Sequence, residues 1–117
     1  MVKGVANVWV PVRDMDRAIG FYRDTLGLDL VMDSPQWSEL DANGLSLGLN
    51  AREPRGAAAD GGAVISFRSE DIDADVDELQ RKGVQFTGTV TSYDWGRIAP
   101  FKDSEGNDLQ LYSSPQR

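Results

Sequence analysis

The sequence predicts an α+β fold in which two βαβββ modules follow one another in a single domain of 117 residues. The main observation is an internal repeat, because Asp14 and Asp16 recur 57 positions later as Asp71 and Asp73. At each place a strand pattern comes first, a capped helix follows, and a glycine ends the helix. A chain of this length with this repeat contains two copies of one unit.

Module one, residues 5–50, has the pattern of a strand, a helix and three further strands. Its first strand, residues 5–12, alternates between aliphatic and mixed side chains, as a strand with one buried face does. Asp14 is expected to cap the helix and Gly27 to end it. The further strands are predicted at residues 28–32, 36–41 and 45–50, with a hairpin turn at Asn43–Gly44.

Module two, residues 63–113, repeats this order after a predicted exposed linker at residues 51–62, which is rich in glycine, alanine and proline. Asp71 caps its helix and Gly83 ends it. The strands are predicted at residues 63–68, at 84–86, after the segment 93–99 and at 108–112, with a turn at 103–107. Residues from Ser113 onwards are expected to fray.

Every predicted strand has an aliphatic face, which would share a core with the helices, and a mixed face. The mixed faces combine aromatic with small polar side chains, which is typical of a small-molecule pocket. Two such sheets would curl into a cleft, and we predict that these residues line it: Asn7, Trp9, Trp37, Glu39, Ser46, Gly48, Val64, Ser66, Gln110 and Tyr112. Tyr93 and Arg97 are expected at its rim, whereas Trp95 lies in an irregular stretch that the pattern does not place.

Composition excludes several classes of function. The net charge of −7 argues against a nucleic-acid partner. No apolar run reaches about 18 residues, so no membrane span is predicted, and without signal-peptide features a cytoplasmic location is expected. The chain has no cysteine and no histidine. Disulfides are therefore absent, and so are the commonest general base and the commonest transition-metal ligand.

Three motifs, in order along nearly the whole chain, resemble those of the vicinal oxygen chelate superfamily, the glyoxalase and bleomycin-resistance proteins. They are Val12-x-Asp14-Met15-Asp16-Arg17-Ala18-x3-Tyr22-x3-Leu26-Gly27-Leu28, then Asp71-Ile72-Asp73 with Leu79 and Lys82-Gly83-Val84, then Lys102-Asp103-x-x-Gly106-Asn107-x-Leu109-x-Leu111. The resemblance implies a glyoxalase-like fold, with a curved mixed sheet around a cleft, and a homodimer. It leaves function open between lyases, isomerases, dioxygenases, antibiotic-modifying transferases and drug-binding proteins.

The resemblance also implies where metal ligands would lie, because the metal enzymes of this superfamily take four ligands from the concave face. Carried over, these positions fall on Asn7, on Val64, near Ser46 or Gly48, and on Gln110. Valine cannot bind a metal, and none of these residues is a carboxylate. We therefore predict no metal ion and no other cofactor.

Two functions are compatible with this site. The first is a metal-free binding protein that sequesters an aromatic or cationic drug-like molecule against Trp9 and Trp37. The alternative is a lyase, isomerase or dioxygenase of the same superfamily, with atypical or no metal ligands and with Glu39 or Tyr112 in acid–base work. Enzymatic activity therefore stays open.

Glu39 is the one carboxylate predicted on the mixed faces, and it has several interpretations. In the structural interpretation it is a solvent-exposed strand residue or a partner for Arg97 or Arg68. In the functional interpretation it is a catalytic base or a counter-charge for a cationic ligand. Beside Trp37 in a semi-apolar cleft, its pKa is expected to be raised by desolvation.

Overall fold

The computed structural model describes residues 6–52 and 64–115, and the chain divides into two compact units, Met1–Ala57 and Ala58–Arg117. Each unit contains one four-stranded mixed sheet. Apart from Ala51 and Arg52, the predicted linker lies outside the described residues, and the predicted module limits stay predictions. No helix within the described ranges is long and apolar enough to cross a membrane.

Unit one has the predicted order of elements. They are β1 (Val8–Pro11), α1 (Met15–Ile19) continued by a π-helical segment (Gly20–Thr25), β2 (Asp29–Met32), β3 (Trp37–Ala42) and β4 (Leu45–Asn50). The sheet order is β1-β4-β3-β2, with β1 parallel to β4 and the other pairs antiparallel. The parallel pair follows from the crossover, since α1, β2 and β3 all lie between β1 and β4 in the sequence.

Local signals position the helix of unit one. The Asp14 carboxylate accepts the backbone N–H of Arg17 at 3.1 Å, which is the expected N-cap. Gly27, just after the helix, has φ of +83°, a conformation that glycine adopts without steric cost. The apolar side of the helix is buried through Ala18 and Tyr22, and α1 contacts β4, in which Leu47 is buried. The predicted helical face is confirmed.

Unit two repeats the arrangement with β5 (Ile65–Arg68), α2 (Ile72–Arg81), β6 (Thr91–Tyr93), β7 (Gly96–Lys102) and β8 (Asp108–Ser113). Its sheet order, β5-β8-β7-β6, is that of unit one, again with the outer strand β5 parallel to β8. Asp71 caps α2 by accepting the N–H of Ala74 at 3.2 Å. Ile72, Leu79 and Phe101 are among the buried residues of this unit. The predicted α+β class with two βαβββ modules is confirmed.

Two local predictions in unit two are wrong. Residues 84–86 do not form a strand, because the N–H of Val84 bonds the carbonyl of Leu79 and only Phe86 makes an isolated bridge, to Phe101. The fourth strand of the sheet is instead the short edge strand β6. Ser113, which was expected to fray, is buried and pairs with Arg97 of β7.

Candidate functional site

Each sheet has one face that packs with the helix of its own unit and one that does not, and we call the second the open face. In unit one the open face carries Trp9, Gly48 and Glu39 as direct neighbours across β1, β4 and β3. Trp37 and Ser46 belong to the same alternation on β3 and β4, and Asn7 is exposed just before β1. The structure therefore brings together the site residues predicted in module one.

Trp37 and Trp9 both lie next to Gly48 on this face, and we call the pair the Trp9–Trp37 platform. A β-carbon at Gly48 would lie 2.4 Å and 2.5 Å from Cζ2 and Cη2 of Trp37, and 3.1 Å from Cβ of Trp9. The indole of Trp37 thus lies directly over the Gly48 backbone, beside Trp9. Trp9 is 45% exposed. Glycine leaves this space to the ring, because a β-carbon here would displace the indole of Trp37.

Glu39 is held beside this platform by two donors. Its Oε1 accepts the hydroxyl of Ser46 at 2.5 Å, and the Trp37 indole N–H also donates to the carboxylate. These hydrogen bonds, first from Ser46 and then from Trp37, lower the pKa of Glu39, and they outweigh the opposing effect of desolvation. The expected rise in pKa is therefore wrong, because the charged form is hydrogen-bonded. Glu39 is an anion at neutral pH.

The Ser46 hydroxyl should account for the largest part of the low pKa of Glu39. We expect Ser46→Ala to raise that pKa towards the ordinary value of about 4.3, because a hydrogen bond to the charged form is lost. Titration of the Glu39 carboxyl carbon by NMR measures this change. Ser66→Ala, on β5, is the matched control and should leave the pKa of Glu39 where it is. An unchanged pKa in Ser46→Ala would contradict the assignment.

The open face of unit two carries Ser66 and Gln110, which are neighbours on β5 and β8 and are joined by a hydrogen bond of 3.0 Å from the Gln110 amide. Tyr112 follows Gln110 on the same face, and Val64, just before β5, is 49% exposed. Tyr93 lies on the edge strand β6, also exposed. These predicted residues belong to one surface of the unit.

Arg97 is the exception among the predicted residues, because it lies on the helix side of the sheet. Its guanidinium donates to both carboxylate oxygens of Asp73 on α2, at 3.0 Å and 3.1 Å, and to the hydroxyl of Ser92 at 3.2 Å. The expectation that Arg97 stands with Tyr93 and Tyr112 at the rim of a cleft is therefore wrong. Its contacts tie the β6–β7 hairpin to the helix.

Sequence reasoning missed Trp95, which joins two predicted residues in an aromatic ladder. The rings of Tyr93 and Trp95 stack at 4.8 Å between centroids with planes 4° apart, and Trp95 and Tyr112 follow at 6.3 Å and 11°. The hydroxyl of Tyr112 donates to the carbonyl oxygen of Trp95 at 2.9 Å. The signal that could have placed Trp95 is Asp94–Trp95 as a two-residue hairpin turn, since Tyr93 pairs with Gly96.

The residues at the carried-over metal positions do not fit a metal ion. Val64 offers only hydrocarbon, Gly48 is covered by the Trp37 ring, and the Gln110 amide nitrogen is bonded to Ser66. Within residues 6–52 and 64–115, no three His, Cys, Asp or Glu side chains form a group that could hold a metal. A neutral donor set of this kind lacks the carboxylate or imidazole that divalent ions require.

Comparisons with known proteins extend these findings. Residues 4–111 match the model of the Glyoxalase/Bleomycin resistance protein/Dioxygenase superfamily. TnmS3, an antibiotic binding protein from Streptomyces sp. CB03234, is 32% identical over 97% of this chain and 98% of its own, with a TM-score of 0.78. The uncharacterised protein YetH of Bacillus subtilis is 29% identical over 95% of this chain and 98% of its own. FosX, a fosfomycin resistance protein of Listeria monocytogenes, is 14% identical over 98% and 96% of the two chains, with a TM-score of 0.80, and shares the fold.

Proposed function

We propose that this chain, which belongs to the Glyoxalase/Bleomycin resistance protein/Dioxygenase superfamily, binds a flat, positively charged aromatic small molecule on the open face of unit one. The observation that carries the proposal is the Trp9–Trp37 platform beside the Glu39 carboxylate. The platform offers a surface for stacking, and the carboxylate offers a fixed negative charge. Sequestration without chemical change is the function that this arrangement supports best.

The chemistry of the platform favours a cationic ring. Indole stacks on flat conjugated systems and attracts cations to its face, an interaction of about 0.5–2 kcal/mol. Glu39 adds a counter-charge that is already ionised and already oriented by Ser46 and Trp37. Its side chain therefore loses little conformational freedom on binding. The net charge of −7 also draws cations to the protein as a whole.

The comparison with TnmS3 supports a drug-like ligand. That protein is an antibiotic binding protein, and it matches this chain over almost the full length of both. We extend this to the present chain as a proposal, namely that its natural ligand is an antibiotic-like molecule.

The alternative of an enzyme, whether lyase, isomerase or dioxygenase, gains no support from Glu39. A catalytic base works best when its pKa lies near the operating pH, and the pKa of Glu39 is lowered instead. Metal-free binding without turnover therefore stays the function that we propose. The homodimer implied by the family resemblance and the cytoplasmic location expected from the sequence also stay predictions, which sedimentation of the purified protein and cell fractionation would test.

A matched pair of probes tests the proposed function. At pH 8, 9-aminoacridine is a flat cation, whereas acridine has the same ring system without the charge. We expect the protein to bind 9-aminoacridine about 10-fold more tightly than acridine, by isothermal titration calorimetry, because a charged hydrogen-bonding partner adds to stacking. Glu39→Gln should abolish this preference and leave acridine binding unchanged.

The control for net charge is Glu78→Gln, which makes the same chemical change at an exposed position of α2. It should keep the preference for the cation. If neither probe binds, or if Glu39→Gln retains the preference, the proposed function is wrong.

The affinity for 9-aminoacridine should depend on pH in a direction that follows from the lowered pKa of Glu39. Because the pKa of Glu39 is lowered, the carboxylate stays charged from pH 8 down through the ordinary glutamate pKa of about 4.3. Affinity for 9-aminoacridine should therefore be constant between pH 8 and pH 5 and should fall only as the pH drops through the lowered pKa. In Ser46→Ala the same fall should occur at higher pH.

A further inference from the structure

We propose that Asn43, in the turn between β3 and β4, is a site of spontaneous deamidation, and that the carboxylate of Asp41 slows this reaction by holding the backbone N–H of Gly44. The inference concerns a covalent modification and does not depend on the ligand proposed above. It rests on the conformation of the turn and on one hydrogen bond within it.

The turn presents an asparagine followed by a glycine at the tip of a hairpin. Ala42 pairs with Leu45, so Asn43 and Gly44 are the two residues between the strands. Both have positive φ, +56° for Asn43 and +104° for Gly44, a conformation that these two residue types adopt more readily than others. Both are exposed, and a β-carbon on Gly44 would meet nothing within 4 Å. Solvent water therefore reaches the Asn43 side chain.

The reaction needs only these two residues and water. The backbone nitrogen of Gly44 attacks Cγ of Asn43, the bond from Cγ to Nδ2 breaks, and the side-chain nitrogen leaves as ammonia together with the proton of the Gly44 N–H. The cyclic imide that results takes up a water molecule, which opens the ring at either carbonyl to give aspartate or isoaspartate. Asparagine is a thermolabile residue in proteins, in keeping with such chemistry.

The other asparagines of the chain lack this combination. Each is followed by a residue with a side chain, which crowds the backbone nitrogen that must attack, whereas glycine has no β-carbon. They are Asn7 before Val8, Asn50 before Ala51 and Asn107 before Asp108. Asn107 is in addition buried, and its side-chain amide donates to Asp103 at 2.8 Å. Asn43 is therefore the asparagine that we expect to react first.

Asp41 opposes the reaction at the attacking atom. Its Oδ1 accepts the N–H of Gly44 at 2.9 Å. The nitrogen must lose this proton to become a nucleophile, and the adjacent carboxylate disfavours the negative charge that then develops on it. A hydrogen bond to a charged group is also stronger than one between neutral groups, so it holds the nitrogen in the geometry of the turn. Asp41 thus keeps the Gly44 nitrogen protonated and in place.

The position of the turn gives the reaction a structural consequence. Isoaspartate routes the main chain through the former side chain, and so lengthens a turn that sets the register of β3 against β4. That register brings the Ser46 hydroxyl to Glu39. By slowing deamidation, Asp41 protects the hairpin that orients the Glu39 carboxylate.

Deamidation is measured on the folded full chain at pH 8, by tandem mass spectrometry of its peptides, which locates each exchange of an amide for an acid. We expect Asn43 to react faster than every other asparagine. Asp41→Ala should accelerate the reaction at Asn43 by about 10-fold, the change in rate that corresponds to the loss of one hydrogen bond to a charged group. Asp41→Asn keeps an acceptor oxygen without the charge and should give an intermediate rate.

Two controls separate the hydrogen bond from other effects of the substitution. Asp29 is exposed and is the direct neighbour of Asp41 across β2 and β3, so Asp29→Asn removes a nearby charge and keeps the bond to Gly44. It should leave the rate at Asn43 unchanged. In urea that unfolds the chain, the wild type and Asp41→Ala should deamidate at equal rates, because the hydrogen bond belongs to the folded hairpin.

Several outcomes would overturn the proposal. One is that another asparagine reacts first in the folded wild type. Another is that folded Asp41→Ala reacts at Asn43 at the wild-type rate, or more slowly, as it would if the carboxylate were a base that removes the Gly44 proton. A difference that persists in urea, or an equal acceleration at Asn50 on β4 of the same unit, would also contradict it, because the effect would then not come from the hydrogen bond in the turn.

Discussion

Replacement of Gly48 by alanine should remove cation binding on the open face of unit one while costing little stability. The new β-carbon would lie 2.4 Å and 2.5 Å from two carbons of the Trp37 ring. These atoms form the outer edge of a side chain that can rotate away, so we expect a loss of unfolding free energy of at most about 1.5 kcal/mol. The displaced indole leaves the platform and can no longer donate to Glu39. Affinity for 9-aminoacridine should fall by about 10-fold or more, since both stacking and orientation of the charge are lost.

Calorimetric titration with 9-aminoacridine and urea unfolding together measure the two effects. Gly20→Ala is the matched control in the same unit, because a β-carbon there would meet Asp24 Oδ2 only at an ordinary contact distance of 3.9 Å. That control should bind like the wild type. Wild-type affinity in Gly48→Ala would mean that the Trp37 ring over Gly48 is not the binding surface.

The shared face of Trp9, Trp37 and Glu39 could be predicted from the sequence because alternation is a property of the extended backbone. Side chains of a strand point in turn to opposite faces, so a pattern of aliphatic and mixed residues fixes the face without any knowledge of neighbours. The environment of each group could not be predicted in this way. Ser46 is seven positions from Glu39, and its hydroxyl reaches the carboxylate only through the register of β3 against β4.

The same limit explains the errors in unit two. Asp73 is 24 positions from Arg97 in the sequence, and only the packing of α2 on the sheet brings them together. Trp95 lies in a turn, where alternation carries no information, so its stacking on Tyr93 and Tyr112 depends on the hairpin geometry. Local patterns therefore predicted most strands and their faces, whereas the edge strand β6 and the contacts between distant segments required the structure.

Replacement of Gly96 by alanine should destabilise unit two severely, in contrast to the change at Gly48. Gly96 has φ of +148°, which side chains rarely adopt, and a β-carbon would lie 2.5 Å from Cε1 of Tyr112 and 2.6 Å from the backbone oxygen of Ser113. The Ser113 oxygen belongs to the paired strand β8 and cannot rotate away. Backbone strain and overpacking each cost about 1–3 kcal/mol, so we expect a loss of about 3 kcal/mol or more in the free energy of unfolding. The stacking of Trp95 with Tyr112 should be disrupted as well.

Gly44→Ala is the control that separates backbone strain from the steric clash. Gly44 also has positive φ, +104°, but a β-carbon there would meet nothing within 4 Å. Its replacement should cost only about 1 kcal/mol, because strain acts alone. Urea unfolding of both variants gives the difference between their losses of unfolding free energy. This difference measures the cost of the steric clash with Tyr112 and Ser113. Equal losses in the two variants would show that Tyr112 and Ser113 move aside, and that the steric clash adds nothing to the backbone strain.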